Sequence, residues 1–303
     1  MQKTYRYSDI LAASEKIRWR VEDLIGGELT LDFAKPFLPE ALARVRPLTF
    51  LDDAQRLALN QIRGHGYLYT FILAEEFILP FVLDHTRPAL DQDDHKTRAM
   101  LTFAEEEAKH IHLFKRFREE FRRGFGSECE VIGPPEAIAK AILAEDPLGV
   151  ALAILQIEWM TQRHYLDSVQ DDSGLDSRFK ELLRNHWMEE AQHAKLDTLV
   201  VQALAATRTP AEIEAGVAAY LRIGEMLDQG LAQQVGFDLA ALERKTGRAL
   251  SAAQREEFLA VQQQALRWTF LGSGMTHPTF LATLEEIAPA ARKRVEQIAQ
   301  AFC

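Results

Sequence analysis

Four long apolar stretches of this chain each carry acidic or imidazole side chains at their centre, and this restricts the fold more than any other feature. They are residues 69–79 (YTFILAEEFIL), 103–110 (FAEEEAKH), 152–160 (LAILQIEWM) and 186–193 (HWMEEAQH). Each lies in a segment of helix-like apolar periodicity. An ionised carboxylate moved out of water costs several kcal/mol unless it is paired, neutralised or bound to metal. The polar positions of these helices must therefore find one another or another partner. Taken singly, each acid reads equally well as a salt-bridged structural residue. The set of four is what needs a common explanation.

Helical spacing supplies one. At 3.6 residues per turn, His186, Glu190 and His193 fall within roughly 60° of one another, on one face over two turns. Glu107 and His110, three apart, also share a face, so one carboxylate and one imidazole can reach the same ion. The pattern E-x-x-H thus occurs twice, 83 residues apart. The other two helices contribute an acid each: Glu158 in one, Glu75 or Glu76 in the other. The interval from Glu75 to Glu107 equals that from Glu158 to Glu190, which favours Glu75, and Glu76 stays as the alternative. The order acid, E-x-x-H, acid, E-x-x-H, one element per helix, is that of the di-iron or di-manganese site in ferritin-like bundles. Carboxylate oxygens and imidazoles suit Fe or Mn, and no thiolate is required.

In chain order, a short helix is expected over about Asp9–Leu24, ended by Gly26 and Gly27, followed by a segment punctuated by Pro36, Pro39 and Pro47. Asp52 is placed to cap a first long helix running to about His85. A second spans about Gln92–Arg123 and stops at Gly124 and Gly126. Pro134 and Pro135 open a shorter helix to Glu145. The third long helix runs from Pro147 to about Asp171, and the fourth from about Ser177 to Thr207. Three further segments follow: Pro210 to Lys245, with possible kinks at Gly224, Gly230 and Gly236; one opened by a Ser251/Gln254 capping box; and one from near Thr276, interrupted at Pro289. No sheet pattern stands out. The expected fold is all-α: a four-helix core over residues 52–207, an N-terminal extension (1–50), and C-terminal helices (210–303) packed on it, all within one domain 1–303.

The formal net charge of −10 argues against non-specific binding to nucleic acid or to an anionic membrane surface. No uninterrupted apolar run reaches the ~18–20 residues of a membrane span. The start lacks a secretion-signal pattern, and Cys129 and Cys303 form no paired motif, so free thiols and a cytoplasmic location are the expectation.

His186 departs from the six-ligand pattern of ferritins and ribonucleotide reductase small subunits. With it, the chain resembles the arylamine N-oxygenases of the p-aminobenzoate N-oxygenase family, whose pattern is an acid, E-x-x-H, an acid, then H-x-x-x-E-x-x-H. The resemblance covers about Tyr67 to Asp197. It implies a metal-ligand set of Glu75, Glu107, His110, Glu158, His186, Glu190 and His193. It also implies two Fe ions, with Mn or mixed Mn/Fe as variants, and O2 as co-substrate activated through a peroxo-diferric species. A small-molecule substrate and an electron-donating reductase or ferredoxin would complete the reaction, and a homodimer is compatible with it. An iron-storing ferroxidase, or an Mn/Fe oxidase without N-oxygenase activity, is the competing expectation. Tyr67 is similar to a tyrosine of that family and otherwise reads as a core aromatic. Asp197, one turn after His193, can accept an N–H from a ligand histidine or form an ion pair. His164 reads as a solvated helix position, with a place beside the centre as the alternative. His112, about 160° from His110 around the helix, reads as surface or packing.

Overall fold

Caps set the boundaries of most long elements in the computed structural model, which describes residues 4–91 and 93–303. The N-terminal region holds two short helices, α1 (Tyr7–Ser14) and α2 (Glu40–Ala43). Helix α3 (Asp53–Thr86) opens on a complete Asp52/Gln55 capping box and runs through Pro80. Helix α4 (Asp94–Phe125) is capped by Asp93, which accepts from the backbone of His95 and Lys96. It ends on Gly126, whose φ of 72° is the left-handed conformation that a glycine adopts freely. The start expected at Gln92 falls outside the described residues.

After α5 (Pro135–Leu143), α6 (Pro147–His164) starts with Asp146 as cap and continues into a π turn, Tyr165–Val169. Asp176 caps α7 (Ser177–Ala206) and also accepts from the Asp32 backbone, tying the N-terminal region to this helix. The Thr209/Glu212 capping box opens α8 (Pro210–Thr246), a single continuous helix, so Gly224, Gly230 and Gly236 do not interrupt it. Then come α9 (Ala252–Arg267) behind the Ser251/Gln254 box, a second π turn, α10 (Ser273–Met275), α11 (Pro278–Ile287) and α12 (Pro289–Ala299). Among the described residues there is no strand, only an isolated bridge between Gly26 and Leu29.

One boundary differs from the sequence-based expectation. The first helix stops at Ser14, and the backbone is extended at Arg20. Trp19 then lies parallel to the ring of His110 on α4, 6.2 Å between centroids, a contact that local propensity does not encode.

Helices α3, α4, α6 and α7 form the core, with α3 against α4, α6 against α7, and α4 against α7. Phenylalanines at 103, 114, 117, 121 and 125 bury one face of α4 completely. Helix α8 lies across α6 and α3. Among the described residues, helix α3 alone has the length and apolarity to cross a membrane, but its most apolar window is 72% buried in the protein, as the central helix of a bundle should be.

The α6–α8 crossing depends on glycine. A Cβ at Gly149 would lie 2.6 Å from the Ala219 Cβ and 2.8 Å from both the Gly216 carbonyl oxygen and the Tyr220 nitrogen. Backbone atoms of α8 cannot step aside without moving the helix. Gly149→Ala is therefore expected to destabilise the protein by about 1–3 kcal/mol, read as a lower urea midpoint at unchanged slope.

Candidate metal centre

The four core helices bring seven polar side chains into one buried cluster. Glu75 comes from α3, Glu107 and His110 from α4, Glu158 from α6, and His186, Glu190 and His193 from α7; all are buried. Of the adjacent pair on α3, Glu75 points into the cluster and is 2% exposed, while Glu76 is only partly buried. His186 Nε2 lies 2.6 Å from Glu190 Oε1 and 3.6 Å from Glu75 Oε1. His110 Nδ1 is 3.2 Å from Glu190 Oε1 and 3.8 Å from Glu75 Oε2. His193 Nδ1 is 2.9 Å from Glu107 Oε1 and 3.3 Å from Glu190 Oε2.

Donor atoms of Glu75, His110, His186 and Glu190 lie within 4.8 Å of one another, and so do those of Glu107, His110, Glu190 and His193. Each set could hold one metal ion, and the two overlap. Glu190 is common to both, and its two oxygens allow it to bridge; an imidazole nitrogen, also shared in His110, has one lone pair and serves one ion. Glu158 is buried on α6, and its carboxyl is influenced by the charge of Glu190.

Two residues overlooked in the sequence complete the arrangement. The outer nitrogen of His110, Nε2, meets Glu189 Oε2 at 2.8 Å, and that of His193 meets Glu106 Oε2 at 2.8 Å. Each glutamate immediately precedes the E-x-x-H glutamate of the opposite helix, so α4 and α7 brace each other's histidine. The repeated Glu-Glu-x-x-His was the available signal. With a carboxylate holding Nε2, Nδ1 is the nitrogen that faces the cluster, and a bound cation would take the place of its proton. Glu189 also pairs with Lys109, whose ammonium sits 4.1 Å over the Trp19 ring.

Charge in this cluster is strongly coupled. Burial, reinforced by the charges of Glu107 and Glu190, pushes the Glu75 carboxyl well above the usual carboxylate range. Burial and Glu190 do the same to Glu158. Burial opposes ionisation of His110, but its bonds to Glu189 and Glu190 outweigh this and raise it to about 9. Several inward atoms make no well-formed hydrogen bond: Glu75 Oε2, both Glu107 oxygens, His110 Nδ1, Glu158 Oε2 and His186 Nε2, although His110 Nδ1, His186 Nε2 and Glu107 Oε1 each lie within 3.2 Å of an oppositely charged or imidazole atom of the cluster. Buried polar atoms without well-formed hydrogen bonds are uncommon in proteins, and a group of them gathered together fits a cation-binding site.

The remaining candidates fall around this core. Tyr67 is buried, and its hydroxyl lies 3.0 Å from His164 Nδ1, whose Nε2 lies 3.0 Å from Ser273 Oγ. His164 is therefore not solvated; the π turn after α6 and the 268–275 segment enclose it. Burial lowers its pKa to about 3. Asp197 is buried beside the cluster, and its Oδ2 has no hydrogen-bond partner, while Glu106 takes the outer nitrogen of His193. His112 is exposed.

The depressed His164 value has a measurable consequence. The unfolded chain takes up a proton near pH 6.5 and the folded chain only near 3, so acidification through that window favours unfolding. His164→Gln is expected to flatten the pH dependence of stability there by about 1.4 kcal/mol per pH unit, measured by urea unfolding at several pH values.

Comparison with protein-family models and with curated proteins finds no match. Among solved structures the chain is similar to R2-like ligand-binding oxidases. One variant with an anaerobically reconstituted Mn/Fe cofactor aligns at a TM-score of 0.46 and 13% identity, over 89% of this chain and 92% of that chain. Another such variant gives 0.45 and 13%, over 88% and 92%. A third, with a non-activated Mn/Mn cofactor, gives 0.42 and 14%, over 86% and 90%.

Proposed function

We propose that this protein is a non-haem dimetal oxygenase that binds two Fe ions, or an Mn/Fe pair, and uses O2 to oxidise a small molecule. The observation that carries this reading is the convergence of buried carboxylate and imidazole donor atoms from α3, α4 and α7 in two overlapping sets, with the buried Glu158 of α6 beside them. The residues fit the group. Glu75, Glu107, His110, Glu158, His186, Glu190 and His193 would hold the two ions, and their mix of carboxylate and imidazole suits Fe or Mn. When bound, the metal pair supplies O2 binding and the electrons for its activation, with an external reductase or ferredoxin restoring them. The resemblance to arylamine N-oxygenases suggests an amine nitrogen as the oxidised atom.

The chain's own residues do three things in this reading. Glu106 and Glu189 orient His193 and His110 and hold a proton on each outer nitrogen. The rings of Phe71 and Phe114, 5.1 and 5.0 Å from the His186 ring, and Phe103, 4.1 Å from that of His193, keep bulk water from the cluster. His186, an imidazole in place of an anionic ligand, leaves the site less negative than a further carboxylate would and so shifts its potential.

The test is metal content after anaerobic loading with Fe(II), followed by mixing with O2. About two irons per chain and a transient visible absorption band are expected. Fewer than two metals per chain would remove the basis of the proposal.

A further inference from the structure

A cavity of about 420 Å³ lies between α3, α5, α6 and α8; none of the seven proposed ligands lines it, but their neighbours in the chain do. Its size falls in the roughly 300–1,000 Å³ range of small-molecule sites. Three of its walls belong to the same helical turns as the proposed ligands. Ala74 and Ile157 line it and directly precede Glu75 and Glu158. The Phe71 ring lines it too and stands 5.1 Å from the ring of His186, a partition between the two spaces. The mouth opens between α5 and α8, at exposed residues including Ala137, Gln229 and Gln233.

The chemistry of the wall is one-sided. No Asp, Glu, Lys, Arg or His contributes to it. Its buried polar groups are few and already engaged: the Tyr220 hydroxyl donates to Gln156 Oε1 at 2.6 Å, and Gln156 Nε2 donates to the Phe270 carbonyl at 3.0 Å. A charged guest would lose its hydration with no counter-charge to replace it, a cost of several kcal/mol. An apolar guest would lose nothing of the kind and would gain the burial of its surface.

We infer that this cavity is the substrate chamber and that the substrate is a neutral, predominantly apolar small molecule. As a substrate chamber it rests on the dimetal reading; as a binding site it stands on its own lining. Phe71 then stands between guest and centre.

The two parts can be tested separately. The first experiment titrates metal-free protein with N-phenyl-1-naphthylamine, a neutral apolar fluorophore, and with 8-anilino-1-naphthalenesulfonate, its anionic counterpart. Saturable binding of one neutral probe per chain is expected, at least about tenfold tighter than the anion. A Cβ at Gly224 meets nothing within 4 Å, so Gly224→Leu should fill the cavity without disturbing the fold. Gly224→Leu and the rim variant Ala137→Leu should each weaken the neutral probe about tenfold at a melting temperature no lower than the parent's. Absence of saturable binding, equal affinity for the anion, or indifference to both variants would overturn the site. The second experiment adds the neutral probe to Co(II)-loaded protein. A shift of the cobalt visible bands supports a chamber adjoining the centre, and unchanged bands in a two-cobalt sample overturn that role. Protein that binds the probe but not two cobalt ions would instead sink the dimetal reading alone.

Discussion

Glu190→Ala is expected to leave a folded protein that no longer holds two metal ions per chain. Glu190 is the one carboxylate in both donor sets, and its oxygens face His186, His110 and His193 at 2.6, 3.2 and 3.3 Å. The charges of His186 and His193 overcome its burial and keep it well below the ordinary carboxylate range, so it presents an anion to the cluster. Removing it takes a shared oxygen donor from both sites at once. Glu76→Ala, on the partly buried neighbour of Glu75, should leave stoichiometry unchanged. Glu189→Gln and Glu106→Gln should fall between, because each keeps the ligand set and loses only the carboxylate that orients a histidine. A 10- to 100-fold drop in affinity is expected for these. Metal analysis after gel filtration reads the stoichiometry, and competition with a chromogenic chelator reads the affinity. Two tightly held ions in Glu190→Ala would refute the assignment.

The second large effect concerns stability without metal. Glu158 is buried, its carboxyl is pushed well upward by desolvation and by Glu190, and its Oε2 has no partner. The folded state therefore holds a proton there at pH values where the unfolded chain has released it. Stability contributed by that proton is lost as pH rises above the ordinary carboxylate range towards the raised value. Replacing a poorly compensated buried acid by an apolar residue of similar volume commonly stabilises by about 1–4 kcal/mol. Metal-free Glu158→Leu should accordingly be more stable than the metal-free parent at pH 7, with a difference that shrinks on acidification. With metal present the order should reverse. An ion at a thousandfold excess over its Kd adds about 4 kcal/mol to the parent, and the variant, lacking a donor, gains less. Urea unfolding of both proteins, with and without Fe(II) under anaerobic conditions, measures all four values. A metal-free variant less stable than the parent would show that Glu158 serves packing or hydrogen bonding rather than metal.

These two results would separate the parts of the centre that local sequence encodes from those it does not. E-x-x-H spacing places Glu107 with His110, and Glu190 with His193, through helix geometry alone, and the structure brings these pairs together. Capping residues are equally local: Asp52, Thr209 and Ser251 each open a helix with a full capping box. His164 shows the opposite case. It looks like a solvated position on α6, yet the π turn and the 268–275 segment bury it against Tyr67 and Ser273.

Sequence by itself determined the all-α class, most helix boundaries and the two E-x-x-H pairs, because helical period and caps act over a few residues. Only the tertiary structure decided the pairing of Glu106 with His193 and of Glu189 with His110, the stacking of Trp19 on His110, and the cavity beside Phe71. Each of those is a contact between residues far apart in the chain, set by how the helices pack and not by which residues form them. The charged centres of four apolar helices required a meeting point; packing chose which atoms meet.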